Sequence, residues 1–181
     1  EEDLQGENSL MAFILGKWQL QDICSVVDLF WSHREVDFKS GEDKRILAFW
    51  EYCYDKIKGS EDGNQEILSD LNLLAVFLKT IDLKSKEWLV QSVPYVEQRH
   101  HSYFFLESLD KLANVNPKEV GEVYVAMIDG NALPLYEEKN IQSIVEKIYK
   151  ANEKALANQI CDRYTRSGAE FLKELYEKYN G

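Results

Sequence analysis

"NIQSIVEKIYKANEKALANQICDRY", Asn140 to Tyr164, is the stretch that decides the fold. Ile141, Ile144, Val145 and Ile148 recur at i, i+3, i+4 and i+7, the apolar stripe of one helix face. Leu156, Ile160, Cys161 and Tyr164 draw a second stripe directly after it. Two amphipathic helices in succession, each apolar along one side only, must bury those sides against neighbours.

Working outward, the same pattern fills the chain. "LMAFILGKWQLQDICSVVDLFWSH", from Leu10 to His33, reads as one or two helices. "FKSGEDKR" interrupts it, and Ser40 with Asp43 resembles a capping box leading into "ILAFWEYCYDKI". "GSEDGN", residues 59–64, is the clearest loop and the expected internal boundary. "EILSDLNLLAVFLKTI" is apolar nearly all round from Leu71 to Leu78, which predicts one buried helix. "SKEWLVQSVPYVEQ" predicts a helix that Pro94 ends or kinks. "SYFFLESLDKLANV" begins the next one. Asn116, Pro117 and Glu119 then supply a cap, a first-turn proline and a carboxylate at the positive helix end. "EVYVAMI" is β-branched, but the capped start assigns it to a helix. "DGNALP" is the following loop, and Ser167 with Glu170 predicts a capping box before "FLKELYEKY". Three prolines and nine glycines leave little of the punctuation that a β-sandwich or barrel needs. The chain is therefore expected to divide into a disordered or linker N-terminus over 1–9, an aromatic-rich helical part over 10–58 and a helical-repeat part over 65–181, the last two continuous.

Helix starts fall near 66, 102 and 138, and their partners near 85, 117 and 153, a period of about 36 residues. In this the segment from Glu66 to Tyr179 resembles HEAT-like and armadillo-like repeats; the Trp, Leu-Gly and Tyr offsets of tetratricopeptide repeats are absent. The resemblance implies an all-α fold of paired antiparallel helices stacked as a short α-solenoid, about 8–10 helices in all. The tail from Ala155 also resembles the helical arrays that close large bacterial NTP-dependent or defence proteins, a likeness that carries over no catalytic residue.

Hydrophobic residues make up 45% of the 181-residue chain and aromatics 12%, which excludes a disordered chain. The net charge is −11, and all of it arises before Glu137: 24 acidic against 13 basic residues there, eight of each after. An acidic chain without a basic cluster is not built for nucleic acid. Cys24, Cys53 and Cys161 stand far apart without a C-x-x-C step, so a zinc cage is not expected and a reduced, cytoplasmic setting is. No apolar run is long enough for a membrane span. The opening "EEDLQGEN", without Met, leads us to expect a piece of a longer protein.

Among candidate sites, Glu97 and His100 in "EQRHH" form an E-x-x-H step with His101 beside it, a weak metal candidate. A carboxylate-bridged dimetal centre needs two such steps and two further glutamates; here one step occurs, and a polar corner between helices is the simpler reading. His33, in H-x-E order, lacks the downstream P-C-x-x-C of zinc deaminases. There is no G-x-S-x-G elbow and no phosphate loop. No cofactor is expected. Phe30, Trp31, Phe38, Phe49, Trp50, Tyr52 and Tyr54 crowd into 25 positions, more than a single helical stripe accommodates. If Phe49 and Trp50 point inward, Tyr52 turns outward, and Trp31 in the same manner; both are candidate partner-binding anchors. The alternative is that helices buried on two faces absorb them all. The expected function is a non-catalytic protein-interaction or regulatory module, binding another chain or another domain of its parent. Its rivals are a metal-dependent helical-bundle enzyme at Glu97, His100 and His101, and an acidic inhibitor that mimics nucleic acid.

Overall fold

A computed structural model describes residues 20–32, 42–58, 65–96, 101–130 and 132–181. Among these residues there are nine α-helices and no strand: α1 (Leu20–Ser32), α2 (Glu42–Lys58), α3 (Gln65–Leu71), α4 (Leu83–Ser92), α5 (His101–Leu112), α6 (Pro117–Asp129), α7 (Glu138–Lys150), α8 (Lys154–Arg166) and α9 (Lys173–Asn180). The fold is all-α. Short 3-10 segments over 72–77 and 93–95 follow α3 and α4.

The helices lie in two rows. In one, α4 packs on α6 and α6 on α8; in the other, the 72–77 segment packs on α5, α5 on α7 and α7 on α9. Starts in the second row fall at 65, 101 and 138, steps of 36 and 37 residues, and in the first at 83, 117 and 154, steps of 34 and 37. Buried side chains from Ile23 to Leu172 form one continuous core. The stripes read from sequence account for it: Ile141, Ile144, Val145 and Ile148 are all fully buried, as are Ile160 and Tyr164.

Neighbours within a row are joined by ion pairs, Lys86 to Glu122 (α4–α6), Arg163 to Asp129 (α8–α6), Lys147 to Asp110 (α7–α5) and Lys178 to Glu146 (α9–α7), and Lys84 of α4 pairs with Glu51 of α2. Such exposed or half-exposed pairs add little energy beside the buried apolar contacts.

Buried polar groups close on one another. The Tyr124 hydroxyl on α6 donates to that of Tyr164 on α8 at 2.7 Å, and Tyr164 donates onward to the Pro134 carbonyl at 2.8 Å. Burial pushes both phenols well above their ordinary range, so they remain neutral donors. Asn72 donates to the Leu68 carbonyl and accepts from Ser92 at 2.7 Å, tying the 72–77 segment to α4.

Three expectations are corrected. The apolar segment over 66–81 is not one helix: α3 ends at Leu71, where the buried Asn72 amide takes the carbonyl four residues back and the backbone tightens into 3-10 geometry. Asn116 occupies the N-cap position of α6 but makes no capping bond; its Oδ1 accepts instead from Thr80 Oγ1 at 2.6 Å and Ile81 N at 2.9 Å. Ser167 and Glu170 form no capping box, because Ser167 closes α8 and its hydroxyl donates to the Tyr164 carbonyl, while α9 starts only at Lys173. What sits there is a Schellman motif: Ala169 N donates to Tyr164 O, Gly168 N donates to Thr165 O, and Gly168 adopts φ +83. Asn152, at φ 67, ends α7 in the same manner.

Candidate interaction surface

In α2, Ile46, Phe49, Trp50, Cys53, Tyr54 and Ile57 are buried, a stripe at i, i+3, i+4, i+7, i+8 and i+11. Phe49 and Trp50 thus both face inward, and Tyr52 falls at the edge of the stripe, half-buried against the core. Trp50 and Tyr54 lie beside Trp88 of α4, with ring centroids 5.4 and 6.4 Å apart. Trp31 is also half-buried: its ring meets Phe104 of α5 edge-to-face at 4.5 Å, and Phe104 meets Tyr103 at 5.0 Å. The three rings form a seam from the α1–α5 contact to the surface, where Tyr103 is 46% exposed.

A second apolar patch was not singled out in the sequence. Gly130, at the end of α6, abuts Pro94 so closely that a Cβ there would fall within 2.6 Å of the Pro94 Cα. The 132–137 loop leaves from that contact and is held by the Tyr164–Pro134 bond. It carries Leu135, 46% exposed, and Tyr136, 88% exposed, and the 3-10 turn opposite carries exposed Tyr95. Tyr136 was missed because only its place in a loop, off every helical stripe, marks it. An aromatic so exposed is free to enter a partner's pocket, and aromatics are the residues most often found as interface anchors.

Between α7 and α9 lies an open groove of about 570 Å³, its walls formed by Lys139, Glu146, Lys178 and Glu174 and its apolar side by Phe171 and Leu175. Hydrogen bonds from Lys178 first, then Lys150, hold the Glu146 carboxyl below the usual range, and Glu146 raises the Lys178 ammonium in return.

Glu97 and His100, and the His101 side chain, lie outside the described residues, as does His33. Among the described residues no group of three or more His, Cys, Asp or Glu side chains is placed to hold a metal ion. Cys24 is half-buried, Cys53 and Cys161 are buried, and burial raises the Cys161 thiol. Among the described residues no helix is long and apolar enough to cross a membrane.

No family model, no curated protein and no solved structure matches the chain.

Proposed function

We propose that the chain is a non-catalytic helical-repeat module, a short α-solenoid that binds a protein or another domain of its parent in the cytoplasm. The observation that carries this reading is the two-row order of the helices. In it each helix pair, advancing by 34 to 37 residues, rests on the pair before it and is joined to it by an ion pair. Solenoids of this kind present long side surfaces to partners. Tyr103 and Tyr136 are the anchors best placed for contact, because truncating them removes little core. Trp31 and Tyr52 remain candidates at the core's edge.

The test is a paired measurement on Tyr136→Ala, Tyr103→Ala, Trp31→Ala and Tyr52→Ala in the intact chain. Thermal unfolding reports the core; stoichiometric retention of a single partner from native extract reports the interface. A true anchor loses the partner, at a cost of about 2 kcal/mol or more, with its midpoint unchanged. A core aromatic loses about 3–5 kcal/mol of stability instead. Retention of the partner by all four variants would refute these anchors. A stoichiometric metal ion in the purified protein, lost in His100→Ala, would favour the enzyme over the interaction module.

A further inference from the structure

We propose that α9 is a releasable strap, undocking as one unit from α7 and α8 while the remaining helices stay folded. On the face it covers, Tyr149 of α7 is buried, with its hydroxyl donating to Asn158 at 2.6 Å. Yet not one residue of α9 itself is buried. Its fastenings lie at the periphery. Tyr179 stacks on Tyr149 at 4.6 Å with planes 3° apart, and Lys178 pairs with Glu146 at 2.8 Å. Lys154 reaches the Tyr179 carbonyl at 3.0 Å, and Asn180 donates to Asn158 at 2.9 Å.

An eight-residue helix has no stability of its own in water, so its helical form depends on these contacts. Segments with few buried apolar contacts open first, and independently of the core. The joint is already present. It falls between Leu172, which is buried in the core, and Lys173, where α9 begins. The groove between α7 and α9 already admits solvent along one side of the seam. Release uncovers the stacked face of Tyr149 together with the apolar side chains of α9 itself.

The experiment is residue-resolved amide exchange by NMR on the full chain, wild type and Glu146→Gln. The substitution removes the ionic fastening while leaving a surface side chain of the same shape. A strap gives one common exchange rate from Tyr176 to Gly181, at least tenfold faster than the amides of α8. Glu146→Gln raises that common rate by about two- to fivefold and leaves α8 unchanged. A gradient that slows steadily from Gly181 back towards Tyr176 would mean residue-by-residue opening and overturn the proposal. So would rates equal to those of α8 in both proteins, which mean that α9 opens only with the whole fold.

Discussion

Individual residues in this fold are fixed by closeness or by a shared proton. Gly130 is required by closeness: any side chain would be driven against the Pro94 backbone, which cannot rotate away. Gly130→Ala is expected to cost about 1–3 kcal/mol, read as a lower urea midpoint at unchanged slope. Tyr164 is required by its proton. Tyr164→Phe strands both the Tyr124 hydroxyl and the Pro134 carbonyl, whereas Tyr124→Phe removes only a donor to an oxygen that still has work. We therefore expect Tyr164→Phe to cost about 1–3 kcal/mol and Tyr124→Phe about 0.5–1.5 kcal/mol. Equal losses in chemical denaturation would mean that the relay is not formed.

At the scale of the element, helix ends carry the information that apolar stripes do not. α4 begins with a reciprocal capping box: Ser85 N donates to Asp82 Oδ1 at 2.8 Å, and Asp82 N donates to Ser85 Oγ at 2.9 Å. The Ser85 amide holds the Asp82 carboxyl below its ordinary value of 3.8. A depressed folded-state value means that the ionised cap stabilises above the ordinary value and ceases to do so as pH falls through the folded one. Asp82→Ala should cost about 0.5–2 kcal/mol near neutrality. The gap between variant and wild type should close as pH drops below about 4, and a gap independent of pH would show that the carboxylate is not the cap. At the close of α8 the expectation moves from serine to glycine. Gly168→Ala, forced into the left-handed region, should cost about 1–2 kcal/mol. Ser167→Ala should shift the thermal midpoint less, since its hydroxyl makes one part-buried bond to a carbonyl that already accepts from the backbone.

Across the whole molecule, helix registers were legible because burial on one side writes itself into the chain at a period of 3.6. Ile141, Ile144, Val145 and Ile148 are buried just where that period puts them. The interruption at Asn72 was not legible: its amide takes the Leu68 carbonyl while Ser92, twenty residues away, donates to its other end. Nor was the use of Asn116, which has the chemistry of a cap but is turned to Thr80 and Ile81 by the packing of neighbouring helices. The surface was the least legible part. Whether an aromatic such as Trp31 or Tyr136 is covered depends on its neighbours in space: Phe104 half-covers Trp31, and Tyr136 stays open.

Helices two apart in sequence pack on one another, α4 on α6 on α8 and α5 on α7 on α9. Ring-proton nuclear Overhauser effects test this packing most directly. The account predicts cross-peaks between Tyr124 and Tyr164, joining α6 to α8, and between Tyr149 and Tyr179, joining α7 to α9. If both pairs are silent while the rings contact helices of the opposite row, the stacked arrangement is wrong.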